Sequence, residues 1–233
     1  MNALQHEIEQ LAQQPQPTAE RVLALKRLIP LTAVRAALRA TGQDQRRCPR
    51  LPKWFMVWFV IALGLFCTDR YGQVYKWLQP WRRRGTPGRS TLCEARQRLG
   101  VAPLRVLADR VVGFQATPQT PGAFYQGMRL MALDSFVLDV ADTPTNDQAF
   151  GRPGSHRSPA AFPQVRVLAL CEVGTHILWK NLIKPCHRSE VVMADYLLRF
   201  LEEGMLLLWD RSFLSYAHVQ QVRTRKAHLL ARR

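Results

Sequence analysis

Two aspartates stand at positions where a buried strand has no structural use for a charge. Leu130-Met131-Ala132-Leu133 runs into Asp134, and Met205-Leu206-Leu207-Leu208-Trp209 runs into Asp210. Apolar runs of four or five residues read as strands buried on both faces. If the two strands are neighbours, their carboxylates repel unless something positive lies between them. A divalent cation held by oxygen ligands meets that need. Either aspartate alone reads as an ordinary turn residue at a strand end. The two together, in this order and in so basic a chain, favour the cation.

The charge indicates what such a site would act on. Thirty-three Lys+Arg against 17 Asp+Glu give a net charge of +16 over 233 residues. Between Arg46 and Arg105 there are 13 basic residues and two acidic ones, Asp69 and Glu94, whereas from Met128 to Arg233 the balance is 14 to 10. A basic first half followed by a more balanced second half suits a chain that grips a polyanion with one part and acts on it with another. The five cysteines (Cys48, Cys67, Cys93, Cys171, Cys186) form no C-x-x-C pair and the six histidines no H-x-x-x-H pair. That argues against a zinc site or a disulfide scaffold and for a reducing cytoplasm.

The elements that must position these residues fall into two groups. Residues 1–28 form a polar segment, with Pro15 and Pro17 breaking any long helix. From 29 to 115 the pattern is helical. One helix spans Leu31–Arg39, with Thr32 as N-cap and Gly42 as stop. The apolar run Trp54–Cys67 follows Pro52, and at 14 residues it is too short for a membrane span of about 20. Tyr71–Leu78 carries an apolar stripe of Val74, Trp77 and Leu78. Thr91-x-x-Glu94 matches a capping box opening a helix to Leu99, and Pro103 opens the next helix, with Leu104, Leu107 and Val111 on one face. Residues 116–127, rich in Pro, Thr and Gly, read as a linker. Beyond it, strands are expected at Leu130–Asp134, Val165–Cys171, His176–Ile183, Met205–Asp210 and His228–Leu230. Helices are expected at Val191–Leu201, with Val192, Tyr196 and Phe200 on one face, and at Ala217–Arg225.

Three strands, a helix and a strand ending in an acid is the order of a ribonuclease-H-like fold, and the residues carry a family likeness as well. The string Leu133-Asp134-Ser135-Phe136-Val137-Leu138-Asp139-Val140-Ala141-Asp142-Thr143-Pro144 resembles the first catalytic segment of bacterial insertion-sequence transposases of the insertion-element-4 group, in the DDE class. Phe150-Gly151-Arg152-Pro153-Gly154 and Gly204–Phe213 are similar to later segments of that group. Arg50-Leu51-Pro52 and Ala95-Arg96-Gln97-Arg98-Leu99-Gly100 look like its N-terminal domain. The resemblance runs from about Ile29 to the end of the chain.

The resemblance implies an all-helical DNA-binding domain (29–115) followed by an incomplete ribonuclease-H-like mixed-sheet domain (128–233). It makes Asp134 and Asp210 the first and second catalytic acids and ligands of Mg²⁺ or Mn²⁺, in an enzyme that cuts and joins DNA strands. Arg211 is placed to meet a phosphate, whereas Asp142-Thr143-Pro144 reads as a turn opener and neither Asp139 nor Asp142 is taken as a metal ligand. Arg46, Arg47, Arg50, Arg82, Arg83, Arg84, Arg89, Arg96 and Arg98 are the candidate DNA contacts, since planar guanidiniums suit phosphate. Trp54, Trp58 and Trp77 read as core. The expected partners are duplex DNA, as terminal repeats and target, and a second copy of the chain, with no membrane and a cytoplasmic, nucleoid-associated location. The family's third acid is a glutamate in a later Tyr-Arg-Glu-Lys signature. No Asp or Glu follows Asp210, and Glu190, Glu202 and Glu203 all precede it. The expectation is therefore a C-terminally truncated, catalytically incomplete copy, with a non-catalytic binder of terminal inverted repeats as the alternative. A nuclease using two aspartates alone is the weakest reading, being short of ligands.

If the Arg46–Arg105 region carries the DNA affinity, log affinity falls linearly with log salt, by about 0.9 per neutralised phosphate. Replacing Arg82, Arg83 and Arg84 by Ala then lowers both affinity and slope, the slope by up to about three units. An unchanged slope in the triple variant, read by fluorescence anisotropy, moves the binding surface elsewhere.

Overall fold

The apolar run after Pro52 folds as the helix around which the first half of the chain is built. The computed structural model describes residues 18–44, 50–78, 85–155 and 158–231. They fall into two units, one ending at Val112 and the other beginning at Gly113. The first is helical: α1 (Thr18–Leu28), α2 (Leu31–Ala40), α3 (Lys53–Leu65), α4 (Tyr71–Trp77), α5 (Arg89–Leu99) and α6 (Ala102–Val111). Helix α3 is apolar all round, and Phe55, Val57, Phe59 and Ala62 on it are fully buried. Its rings fix the neighbouring helix. Phe55 and Phe59 meet Tyr75 of α4 at 5.4 and 6.5 Å between centroids, and Phe59 meets Tyr71 at 5.9 Å. Such edge-on pairs each add roughly 0.5–1.5 kcal/mol beyond the area they bury. Trp58 is core, its indole N–H donating to the Ile29 carbonyl at 3.0 Å, while Trp54 and Trp77 are half-buried. No helix among the described residues is long and apolar enough to cross a membrane.

Two expected caps are not used. Helix α2 starts after Pro30, not at Thr32, and no side chain caps it. Helix α5 starts after Gly88, so Thr91 lies inside it and makes no capping bond. Glu94 instead faces Arg98, one turn on, at 3.5 Å. A capping box needs its first residue in an extended conformation, and here the chain turns helical two residues earlier.

The second unit is a mixed sheet with helices. Its elements are β1 (Phe124–Tyr125), β2 (Met128–Asp139), α7 (Pro144–Phe150), β3 (Gly154–Ser155), β4 (Ser158–Pro159), β5 (Gln164–Glu172), β6 (Ile177–Pro185), α8 (Glu190–Leu198), β7 (Met205–Trp209), α9 (Tyr216–Thr224) and β8 (His228–Ala231), with a 3-10 turn at Arg211–Phe213. The main sheet runs β6-β5-β2-β7-β8, and β1 pairs with β2. Strand β5 is antiparallel to both β2 and β6, whereas β7 is parallel to β2, and β8 to β7. Three antiparallel strands, a helical crossover and a fourth strand laid parallel beside the first form the ribonuclease-H-like arrangement.

Alternation along the strands sorts the core. Met131, Leu133, Leu168, Leu170, Leu207 and Trp209 turn to one face and pack with Met193, Leu197 and Leu198 of α8 and Val222 of α9. The expected stripe of α8 is therefore displaced by one residue, since Val192 and Tyr196 are exposed and Met193, Ala194 and Leu197 are buried. On the opposite face Phe136, Leu138, Leu178, Ile183 and Leu230 stay exposed.

The second unit begins at Gly113 and so includes residues 116–127, expected as a linker. Glu172, fully buried, accepts from the amides of Gln115 and Ala116 at 3.0 and 2.9 Å, from the Thr175 hydroxyl, and from the Arg129 guanidinium. Arg129 is in turn sandwiched 4.6 and 4.8 Å from the Phe114 and Phe124 ring centroids. Nearby, a β-carbon on Gly174 would come within 2.3 Å of the Ala123 side chain, so only glycine lets the β5–β6 turn approach this segment.

Burial alone opposes ionisation of Glu172. The hydrogen bonds from Thr175, Ala116 and Gln115, together with the Arg129 charge, outweigh it and hold the carboxyl below its ordinary value. The sign follows: the stabilisation is full above the unfolded carboxylate range, about pH 4.3. It is lost as the pH falls from there through the lower folded value. Glu172→Gln should cost about 2–3 kcal/mol at neutral pH in urea unfolding of the full chain, and the gap to the unsubstituted chain should narrow on acidification. A gap that does not change between pH 7 and pH 3 would contradict this role.

Candidate metal centre and nucleic-acid surface

The register of two parallel strands decides whether the aspartates meet. Leu133 of β2 pairs with Trp209 of β7, and this is the last pair of their ladder. Asp134 and Asp210 each follow by one residue. They therefore lie side by side where the two strands part, about 4.8 Å from strand to strand. Leu133 and Trp209 point into the core, so alternation turns both aspartates to the opposite face, where both are exposed. The expected end of β2 at Asp134 is corrected, since pairing with β5 carries β2 on to Asp139 opposite Gln164. Asp134 is thus mid-strand, which holds its backbone firmly.

Local hydrogen bonds orient each carboxylate. Asp134 Oδ1 accepts from the Ser135 amide at 2.7 Å, and Asp210 Oδ1 accepts from the Ser212 amide at 2.9 Å as it caps the 3-10 turn. Behind that turn His218, buried, reaches the Phe213 carbonyl at 2.7 Å with Nδ1 and Asp195 at 2.8 Å with Nε2. Its ring lies 5.6 Å from Trp209, so the segment carrying Asp210 is braced from the core side. Two carboxylates present hard oxygen donors, which fit Mg²⁺ or Mn²⁺, with water or phosphate oxygens left to complete six-fold coordination. Among the described residues no group of three or more His, Cys, Asp or Glu gathers into a metal cluster. Cys171 shares the aspartate face. Burial first, and then the neighbouring Glu172 charge, push its thiol up, which leaves little thiolate to bind metal at neutral pH.

The other acids near the site are already engaged. Asp139 accepts from the Gln164 amide at 2.8 Å. Asp142 and Asp147 clasp Arg152 at 2.6 and 3.1 Å, which closes the long β2–β5 connection. Thr143 caps α7 through the Asn146 amide at 3.2 Å. Glu190 pairs with Arg166 and accepts from the Ser135 hydroxyl at 2.7 Å. Arg211, next to Asp210, is exposed.

Of the candidate DNA contacts, Arg46, Arg47, Arg82, Arg83 and Arg84 lie outside the described residues. Arg50, Arg89, Arg96 and Arg98 are exposed. Helix α5 buries Leu92, Ala95 and Leu99. At about 100° per residue, Arg89 and Arg96 share one flank of that buried stripe and Arg98 lies on the other flank. No single face of α5 presents all three. Arg96 sits 5.7 Å from the Tyr71 ring centroid, and Arg98 is the partner of Glu94. Sequence reasoning missed Glu172, Arg152 and His218 as organising residues, because their partners lie up to 57 positions away.

Residues 19–109 match the family model described as insertion element 4 transposase N-terminal. The chain is 28% identical over 180 residues to the transposase InsG for insertion sequence element IS4 of Escherichia coli (strain K12), covering 76% of this chain and 40% of that protein. It is 31% identical over 134 residues to the putative transposase InsZ of the same organism, covering 54% and 43%. The chain thus spans less than half the length of these curated relatives. Among solved structures, a piggyBac transposase synaptic complex with hairpin DNA aligns at 12% identity and a TM-score of 0.40, over 90% of this chain and 50% of that one. A Mos1 transposase paired-end complex aligns at 11% and 0.31, over 86% and 76%. Likeness so slight carries no argument, whereas the sequence matches make residues 19–109 similar to the N-terminal domain of insertion-element-4 transposases and most of the chain similar to part of InsG.

Proposed function

We propose that this chain acts on duplex DNA as part of a DDE transposase, with the first unit binding the DNA and Asp134 and Asp210 holding a Mg²⁺ or Mn²⁺ ion at the scissile phosphate. The observation that carries this reading is the Leu133–Trp209 register, which sets the two carboxylates side by side on one face. A bound divalent ion there would activate the attacking hydroxyl and stabilise the leaving oxygen of the phosphate. The Ser135 and Ser212 amides keep one oxygen of each carboxylate fixed, so the pair is oriented before any ion arrives. Arg211 takes a non-bridging phosphate oxygen beside Asp210. Arg50, Arg89, Arg96 and Arg98, with the basic segments around 46–47 and 82–84, hold the DNA backbone.

A second reading, a DNA-binding protein without catalysis, draws on the concentration of charge in the first unit, with 13 basic residues against two acidic between Arg46 and Arg105.

A Mn²⁺ titration of the full chain, following the free ion by electron paramagnetic resonance, tests the first reading. Asp134→Asn and Asp210→Asn should each weaken binding by about tenfold or more, about 1.4 kcal/mol. In metal-free buffer the same variants should gain up to about 1 kcal/mol of stability, because each removes a like-charge neighbour. Mn²⁺ affinity that neither substitution changes would sink the cation reading. DNA binding with no metal-dependent strand cutting or transfer would leave the second.

A further inference from the structure

From Arg211 to the end of the chain there are six Lys or Arg residues and no Asp or Glu. Helix α9 lies in this stretch and forms a groove of about 550 Å³ with α8. Arg199, Tyr216, Gln220, Gln221 and Arg225 line it, together with one carboxylate, Asp195. That carboxylate is already occupied. Asp195 Oδ1 accepts from His218 Nε2, which lies behind the groove, at 2.8 Å and from the Gln221 side-chain amide at 3.4 Å. The two guanidiniums are exposed. Arg199 lies 3.6 Å over the Tyr196 ring and 5.0 Å from that of Phe200. Stacking by its face costs a guanidinium none of its in-plane donors, which remain suited to an oxyanion. Tyr216, the first residue of α9, is 87% exposed. A ring so placed contributes little to the core.

We propose that the α8–α9 groove is a second nucleic-acid surface, separate from the arginines of the first unit. It takes backbone phosphates on Arg199 and Arg225 and stacks a base on Tyr216. An acidic peptide would satisfy the guanidiniums. Its carboxylates would leave the exposed ring without a flat partner, whereas a DNA strand supplies phosphate oxygens, a flat π-face and base edges together. The inference extends the DNA-binding part of the proposed function and does not depend on the aspartates.

The test uses the full chain, without divalent ions, and fluorescein-labelled single-stranded and duplex DNA of mixed sequence. The Arg199→Gln/Arg225→Gln variant should lower the log–log salt slope by about one to two units and weaken binding to both probes. Tyr216→Ser should weaken single-strand binding by about tenfold with the slope unchanged. All three positions are exposed, so unaltered circular dichroism is expected and separates lost contacts from lost folding. Wild-type affinity and slope in the double variant would overturn the proposal. Loss of binding to a poly-glutamate peptide with DNA binding intact would also overturn it, in favour of an acidic protein partner. An unsubstituted chain that binds neither DNA probe would overturn this surface and the DNA-binding reading of the first unit together.

Discussion

The second unit depends on a conflict between packing and charge along one pair of strands. Met131 and Leu133 on β2, with Met205, Leu207 and Trp209 on β7, must all turn inward to form the core under α8 and α9. Because side chains alternate, that register forces Asp134 and Asp210 to the other face as neighbours. Like charges held about 5 Å apart would repel by roughly 1 kcal/mol in water and about 3 kcal/mol at an effective dielectric of 20. Sliding β7 by one residue would take Met205, Leu207 and Trp209 off the core face and put Leu206 and Leu208 in their place. In the proposed reading, a divalent cation bound between the two aspartates would offset that repulsion.

Six other acids of this unit are paired with a basic side chain. Glu172 has Arg129, Glu190 has Arg166, Asp142 and Asp147 share Arg152, Asp195 has His218, and Glu203 has Lys226. These pairs do structural work at identifiable places. Glu172 anchors the segment entering the unit, Arg152 closes the β2–β5 connection, and His218 braces the turn behind Asp210. The exposed ones contribute little energy individually. Their value lies in position, since each ties a connection to the sheet close to the aspartate pair or to the helices behind it.

Much of this was legible in the residues because the signals were local. The apolar run after Pro52 announces α3, and the two short apolar runs announce β2 and β7, although only one face of β2 is fully buried. The order of three strands, a helix and a strand indicates the sheet order, because a parallel return needs a crossover. Local signals also misled. Thr91 and Glu94 have capping-box spacing, yet the helix begins at the Gly88 turn. The stripe of α8 is one residue away from Val192 because the residues that pack are chosen by the sheet, which the helix sequence does not reveal. The continuation of β2 past Asp134 was obscured because its partner, Gln164–Val167, lies some 25 to 31 positions on. Glu172, with ligands from residues 115, 116, 129 and 175, is the extreme case: only the fold brings them together.

In the proposed reading, the Leu133–Trp209 register makes Asp134 and Asp210 a two-carboxylate cation site. Crystals of the chain soaked in Mn²⁺ and measured at the manganese absorption edge address it directly. The account predicts an anomalous peak about 2.0–2.6 Å from oxygens of both Asp134 and Asp210. A peak bound to neither or to only one of them, with the carboxylates turned apart, would contradict it.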